Sequence, residues 1–486
     1  MTPSAHDSDR ETPEIVARRF AEFAHSYSHL TLYAAISRAA ATDDLAVELT
    51  GAARPGQARP VLLLAALHDL VLRRPDLPVA RWYPSVTGAA VPPGDPWPDV
   101  RAALADHADE LRAVIAGRAT QTNEANRVVH VARMVAEAAA DVPDVPVALV
   151  EMGASAGLLL GLDRYRIEIE DPTGDVTVVG DPASSARAHG LGFLSPTDDP
   201  GASSAPGPTA SSAPVATASS APVARSVPPA PGPGGTDGVA GSEVGEGSAG
   251  PGWPSGFGSS GLPRIVERVG LDREPVDLSD PDAVRWLEAC LWPDQPERLE
   301  RFRAAVEVLR ADPPTVVAGD MVDDLEATLH SARAVATALA ADLSAPTSPA
   351  APAAAGEPES SDPSPSGASS DHGSSGGGSG GGSAPVDVHL IVFSSWALTY
   401  VARERRAEVA EVMARLAADG RPVSWLTAEP PGAVPGIPVP PGADARLGDA
   451  RNQTALGARR WRAGVELPPA LWGTCHPHGE RFDWGP

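Results

Sequence analysis

Between residues 147 and 160 the chain reads Val147-Ala-Leu-Val-Glu151-Met-Gly153-Ala-Ser155-Ala-Gly157-Leu-Leu-Leu160. An apolar run, a turn of small residues and a second apolar run make the pattern of a strand, a tight connection and a helix. Gly153 accommodates a left-handed backbone at the strand's end, and Gly157 lets the helix approach the sheet. Such a turn leaves room for a ligand. Glu151, closing the strand, could accept hydrogen bonds from an ammonium or hydroxyl lying across the crevice. The alternative is a strand-to-helix connection that binds nothing.

Three other groups carry polar chemistry. Gln121, Asn123, Glu124 and Arg127 cluster in an otherwise apolar stretch of a chain with only three Asn. They could line a substrate pocket, or mark a helix start capped by Thr120 or Thr122 with Glu124 in its first turn. Ser394, Ser395 and Tyr400 follow an apolar strand, where they would reach the ligand edge of an open sheet or cap the next helix. His476 and His478 flank Pro477 on one side of an extended segment, but no third ligand is near in sequence, so no metal is expected.

The elements that must position these groups are uneven along the chain. From about Pro13 to Asp141 the apolar period is helical, interrupted at Gly51, at Pro75 and by an irregular loop over Trp82 to Pro98; no strand is expected before Val145. Strands are expected at Val147 to Met152, Ile265 to Leu271, Thr315 to Ala318, Val388 to Phe393 and Val423 to Thr427, with a hairpin over Tyr165 to Val179. Helices are expected at Leu158 to Tyr165, at Pro281 to Cys290 continuing through Glu297 to Leu309, at Asp323 to Ala340 and at Arg403 to Ala418. Short apolar runs alternating with amphipathic helices make a parallel sheet covered on both faces. Two stretches of Ala, Pro, Ser and Gly, about 197–261 and 344–385, bury too little apolar area to offset their ordering entropy and read as disordered inserts. The expectation is two units: a mostly helical cap over 13–141 and an α/β unit over 145–486.

Composition narrows the chemistry. Every one of the 38 basic residues is Arg, and the absence of Lys excludes a Schiff-base lysine, a P-loop lysine and the kinase strand lysine. Arg in place of Lys, with abundant Ala, Pro and Gly, fits a high-GC bacterial genome. A net charge of −25 repels phosphate backbones, so a small molecule is the expected partner and nucleic acid is not. Cys290 and Cys475 lie far apart, indicating neither a disulfide framework nor a zinc site. The first fourteen residues lack an apolar core, and no stretch reaches the roughly 18 apolar residues of a membrane span. A cytoplasmic protein without membrane contact is expected; oligomeric state is left open.

In its order of elements the chain from about Val145 to Trp484 resembles the class I S-adenosylmethionine-dependent methyltransferases. Glu151-x-Gly153-x-x-x-Gly157 looks like their first motif, Val269-Gly-Leu-Asp272 like the acid that takes the ribose hydroxyls, and Val316-Val-Ala-Gly-Asp320-Met321, followed by Asp323, like the adenine edge. Asp387 to Tyr400 and Val423 to Glu429 resemble the fourth and fifth strands. The resemblance implies a doubly wound, Rossmann-like sheet. It also implies S-adenosylmethionine held by Glu151, Gly153, Ser155, Gly157, Asp272, Asp320 and Met321, and an acceptor facing Gln121, Asn123, Arg127, Ser395 and Tyr400. Ser155 replaces the usual middle glycine, which is compatible with a catalytically idle cofactor-binding protein, and about 120 residues separate Glu151 from Asp272. The same residues spell G-x-S-x-G, similar to the nucleophile elbow of α/β hydrolases, with Asp387 and His476 or His478 supplying the remaining order. Such an enzyme needs strands and an oxyanion loop upstream, where this sequence reads as helix. Over Arg118 to Glu124, Trp292 to Gln295 and His476-Pro-His478-Gly the whole chain also resembles a group of bacterial proteins classed as a domain of unknown function. That resemblance implies that the N-terminal helices and the α/β part form one architecture.

Overall fold

In a computed structural model, residues 11–121, 123–194, 253–254, 256–257, 259–344, 387–440 and 453–485 are described. Most of the two expected inserts lies outside these residues.

Prolines start many of the N-terminal helices, where a missing N–H costs nothing. They are α1 (Pro13–Ser26), α2 (Thr31–Ala40), α3 (Asp44–Gly51), α4 (Pro60–Arg73), α5 (Pro84–Thr87), α6 (Trp97–Asp106), α7 (Ala108–Gly117) and α8 (Val128–Ala140). Among the described residues no strand precedes Val147, as the periodicity requires. The expected loop after Trp82 contains the short α5. Helices α1 to α7 enclose a core of their own, around Phe20, Tyr33, Leu63 and Leu67, which Trp286 and Ala289 join from outside. By contrast, α8 is buried with the sheet through Val128, Val131 and Val135.

Asp294 and His68 are among the side chains that fasten this helical layer to the rest, beside the ion pair of Asp69 with Arg285. Asp294, from the Trp292 to Gln295 run, accepts from the amides of Leu32 (2.7 Å) and Tyr33 (3.1 Å), capping α2, whose own N-cap residue Leu30 has no side-chain acceptor. His68, fully buried on α4, pairs through Nδ1 with the Ala289 carbonyl (3.1 Å) and through Nε2 with Ser85 Oγ (2.7 Å).

The strands are β1 (Val147–Met152), β2 (Arg166–Glu170), β3 (Val176–Gly180), β4 (Arg187–Leu194), β5 (Ile265–Asp272), β6 (Thr315–Ala318), β7 (His389–Ser395), β8 (Val423–Glu429), β9 (Thr454–Arg462), β10 (Val465–Glu466), β11 (Ala470–Cys475) and β12 (Arg481–Trp484). They form one mixed sheet in the order β3-β2-β4-β12-β11-β9-β8-β7-β1-β5-β6, with β10 paired to β9. The block β8-β7-β1-β5-β6 is parallel throughout, while β9, β11 and β12 extend it antiparallel. Beyond them β4 and β2 return to parallel pairing. The remaining helices are α9 (Pro281–Ala289), α10 (Pro296–Arg310), α11 (Leu325–Ser344) and α12 (Arg406–Ala417). Val147 and Leu149 of β1 are buried with α8 and α10, whereas Ala148, Val150 and Met152 are buried with α11 and α12, so the parallel block is covered on both faces.

All five expected strands and the hairpin are present. Three helices differ. Residues Leu158–Arg164 form a 3-10 turn in place of an α-helix. There Gly161 sits where a Cβ would approach Leu309 to 2.7 Å, and the Tyr165 hydroxyl takes the Leu158 carbonyl. The helix expected to continue from Pro281 to Leu309 is two, broken around Pro293 and Pro296. The third begins at Leu325, because Asp320 to Asp324 form a turn. The first insert ends earlier than expected: Trp253 is buried and its indole N–H donates to the Gly261 carbonyl at 2.7 Å. A large aromatic surface secures what Gly and Ser around it cannot.

Burial pushes the His68 imidazole down to about 4. The unfolded chain takes up that proton near pH 6.5, so the stability His68 contributes is complete above 6.5 and is lost as pH falls toward 4. Relative to His68→Gln, wild type is expected to lose about 3 kcal/mol between pH 7 and pH 4. Urea unfolding at each pH checks this; parallel stability curves would refute it.

Candidate functional site

The turn after β1 is tied to the closing end of β5. Gly153 donates its amide to the Leu271 carbonyl (2.8 Å), and the Ser155 amide donates to Asp272 Oδ2 (2.8 Å), whose other oxygen accepts from the Glu274 amide (2.9 Å). Gly153 (φ +75°) is left-handed, as expected, and so is Gly157 (φ +71°), of which only close packing was expected. Close packing reinforces the requirement: a Cβ on Gly153 would lie 2.6 Å from that of Ala397, and one on Gly157 would lie 2.8 Å from Pro314. Of the four described non-glycine residues that share the left-handed conformation, two lie here: Ser155 (φ +54°) after β1 and Trp396 (φ +59°) after the neighbouring β7. Strain of this kind costs on the order of 1–3 kcal/mol per residue and persists only where surroundings enforce it. At Trp396 the amide is held by the Ala428 carbonyl (3.0 Å) and the indole N–H by Thr454 Oγ1 (2.8 Å).

The segment from Gln121 to Arg127 roofs this turn. The Gln121 side-chain oxygen accepts from the Ser155 hydroxyl. Glu124 accepts from the Asn126 amide (3.1 Å) and pairs with Arg298 and Arg301 of α10. Glu124 thus caps the 3-10 turn Ala125–Arg127 itself; the expected alternative cap, Thr122, lies outside the described residues. Asn126 donates to the carbonyls of His189 (2.9 Å) and His478 (3.3 Å) and accepts from the His189 amide (3.0 Å). Arg127 donates from Nε to the Pro477 carbonyl (2.9 Å) and from Nη1 to the Ser395 carbonyl (3.1 Å). The roof therefore locks the C-terminal hairpin onto the end of β7.

Beneath it, two buried carboxyls close adjacent parts of the sheet. Glu151 has one oxygen without a partner, and burial and the neighbouring Asp272 charge hold it well above the usual carboxylate range, against the pull of Arg127. Glu429, ending β8, accepts through Oε1 from the amides of Ala397 (3.0 Å) and Leu398 (3.2 Å), while its Oε2 has no partner. Burial pushes it up to about 7, against those amides, the nearby Ser394 hydroxyl and Arg127. The Ser395 hydroxyl and the Asn123 amide nitrogen are buried without aligned partners, while the Ser394 hydroxyl lies against Glu429. His478, beside Glu124, is held neutral, pushed down to about 2 by burial and by Arg298 and Arg127.

The sequence candidates do not all meet here. Asp320 turns instead to Arg273 and to the amides of Val322 (2.9 Å) and Asp323 (3.2 Å). Burial raises its pKa, but these donors prevail and bring it down to about 2. Met321 is buried near Gly153. Tyr400 is 74% exposed on the turn Leu398–Tyr400, away from the buried groups. The hydrolase order does not assemble. Asp387 precedes the opening end of β7, whereas Ser155 follows the closing end of β1, roughly 20 Å away along the strands. No base faces the Ser155 hydroxyl; its partner is Gln121.

Glu429 and the arginines of α10 escaped the sequence reading. The signal for Glu429 was present, since an acid closing an apolar run is also what singles out Glu151. A cavity of about 530 Å³ lies at the opposite, opening edge of β1 and β5, lined by Pro146, Asp163, Phe257 and Arg264 among others. Among the described residues no helix is long and apolar enough to cross a membrane.

Fold and site together define an α/β protein with a mixed sheet and a cluster of buried polar groups under a roof segment at the closing ends of its parallel strands. The chain belongs to the family described as an uncharacterized protein conserved in bacteria (DUF2332), matched over residues 17–191, 237–344 and 382–484. The match runs through the helical layer and the sheet alike and leaves out stretches inside both expected inserts. Comparison with curated proteins and with solved structures returned no match.

The neutral form of Glu429 is the stable one in the fold, so its contribution is complete below pH 4.5 and is lost as pH rises through 7. Glu429→Gln keeps the acceptor for both amides and never ionises. Its stability relative to wild type is expected to improve by about 3 kcal/mol between pH 4.5 and pH 8, read from denaturant midpoints. A pH-independent difference would show that the carboxyl is not held as described.

Proposed function

We propose that the crevice at the closing ends of β1, β5 and β7 binds S-adenosylmethionine and that the protein transfers its methyl group to a small molecule. The observation that carries this reading is the left-handed glycine turn after β1, where strand order reverses. Taken in chain order, β6-β5-β1-β7-β8 reads 3-2-1-4-5, an order that supports the doubly wound Rossmann-like reading, and ligands bind at such reversals. The strained backbones of Ser155 and Trp396 flank the same point, as strain does where a ligand is handled.

The donor set suits the cofactor. Each oxygen of Asp272 accepts one amide and keeps a second lone pair for a ribose hydroxyl. Glu151, with its free buried oxygen, suits the ammonium of the methionine moiety, and a bound cation would draw that carboxyl back toward its ionised form. Met321 and the Asp320 turn line the adenine side, with Gly153 and Gly157 allowing close approach. S-adenosylmethionine supplies an electrophilic methyl group when bound. The chain's own part is to hold the acceptor in line from Gln121, Asn123, Arg127 and Ser395 and to exclude water beneath the roof, which is where most of the acceleration arises. Ser155 departs from the family pattern: its amide is taken by Asp272 and its hydroxyl by Gln121, so the roof contact must open for the turn to meet a ligand.

Calorimetric titration with S-adenosylmethionine and S-adenosylhomocysteine tests this. Saturable binding is expected in wild type, at least tenfold weaker in Asp272→Ala and absent in Gly153→Arg, both checked for folding by circular dichroism. Neither heat nor thermal stabilisation from either ligand would overturn the reading.

A further inference from the structure

Basic groups gather where the roof meets α10 and the hairpin between β11 and β12, in a chain whose formal net charge is −25. Arg298 and Arg301 of α10 and His478 of the hairpin all face the carboxyl of Glu124, whose side chain is 1% exposed. Arg298 pairs with Glu124 Oε2 and donates to Gln295 Oε1 (2.7 Å), while Glu124 Oε1 already accepts from the Asn126 amide (3.1 Å). Arg301 comes second to that carboxyl. It reaches Oε1 only at 3.6 Å, beyond a hydrogen bond, and its Nε is buried without a partner.

No other acid completes Arg301. Glu297 and Glu300 of the same helix are exposed, and among the described residues neither pairs with it. Glu170 and Glu480 stand beside His189 and His476. Arg127, also close to Glu124, gives its hydrogen bonds to the neutral carbonyls of Pro477 and Ser395. On this side of the roof two guanidiniums therefore share one carboxyl, with a third behind them. The field of these arginines reaches His478, where Arg298, Arg127 and Arg301 add to burial in keeping the imidazole neutral. Unlike the groups deeper in the crevice, the outer part of the cluster meets solvent: the side chains of Arg301, His476 and His478 are 20%, 28% and 31% exposed.

A half-buried guanidinium held by one long contact keeps N–H donors for a ligand, and its planar fork matches the paired oxygens of an oxyanion. Arg301 and His478 lie within 4 Å of the same carboxyl, so one small group spans both. We propose that Arg301 and His478 form, at the outer edge of the roof, a recognition site for the oxyanion, carboxylate or phosphate, of a small molecule. That this molecule is the methyl acceptor rests on the cofactor reading above; its binding does not.

The test titrates the full chain calorimetrically, at constant ionic strength, with methyl phosphate beside trimethyl phosphate, with succinate beside succinamide, and with S-adenosylhomocysteine in parallel. At least one anion is expected to bind about tenfold or more tightly than its neutral partner. Preference for methyl phosphate assigns the site to a phosphate monoester, preference for succinate to a carboxylate. Arg301→Gln should weaken that binding by about tenfold and leave S-adenosylhomocysteine binding as in wild type. Arg301→Lys, a second variant should the first not fold, keeps the charge without the fork and should weaken it less. Anions that bind no better than their neutral partners, or that bind these variants as they bind wild type, overturn the proposal. Anion preference without any S-adenosylhomocysteine binding would support this site while removing the cofactor reading, and S-adenosylhomocysteine binding without anion preference would do the reverse.

Discussion

One guanidinium holds three distant parts of the chain together. Arg127 enters from the segment before α8 and bonds the carbonyl of Ser395 at the end of β7 and that of Pro477 in the C-terminal hairpin. Burial lowers its pKa, opposed first by Glu124 and then by Glu429, so its positive charge survives because carboxyls stand nearby. Removing one partner from a buried charge cluster typically costs about 3–5 kcal/mol, far more than a surface ion pair contributes. The roof is therefore a commitment of the whole fold.

From Arg127 the connections run outward in two directions. Through Glu124 they reach Arg298 and Arg301 on α10, and through Asn126 the edge of β4 and the hairpin between β11 and β12. The antiparallel extension of the sheet is thereby fastened to the same segment that covers the glycine turn. A second set of ties, Asp294 under α2 and His68 against Ala289, joins the helical layer to the strand-and-helix part. Helices that keep a core of their own are thus docked by a few directional polar contacts between apolar surfaces.

What the sequence reveals follows the kind of interaction involved. The parallel block was legible because strands buried on both faces are continuous apolar runs such as Leu390-Ile-Val-Phe393, and the glycine turn was legible because left-handed positions recruit glycine. The strands β4, β9, β11 and β12 were not. β4 carries Gly190 and Gly192, residues that weaken strand propensity, yet a Cβ at either would collide with Val129 or with Phe482 and Ile169. β9 carries Arg459, Arg460 and Arg462, whose charges mask the period of two; they are absorbed by Glu466 and Asp141. Gln121, Asn123 and Arg127 were singled out by composition, but the role of Arg127 in the roof depends on partners some 270 to 350 residues away, which no local pattern encodes.

The location of strain and unsatisfied polarity is itself informative. Buried polar atoms without a partner also occur away from the crevice, at Ser37, Tyr83, Arg333 and His389 among others. What sets the crevice apart is the combination of two carboxyls buried above their ordinary pKa with Ser155 and Trp396 in left-handed backbone. Glu429→Gln would relieve the cost of the buried carboxyl and keep the acceptor for both amides, whereas Ser155→Gly would relieve the backbone strain but lose the hydroxyl that Gln121 accepts from. These costly residues lie at the closing ends of β8 and β1, on either side of β7, where the roof covers the sheet.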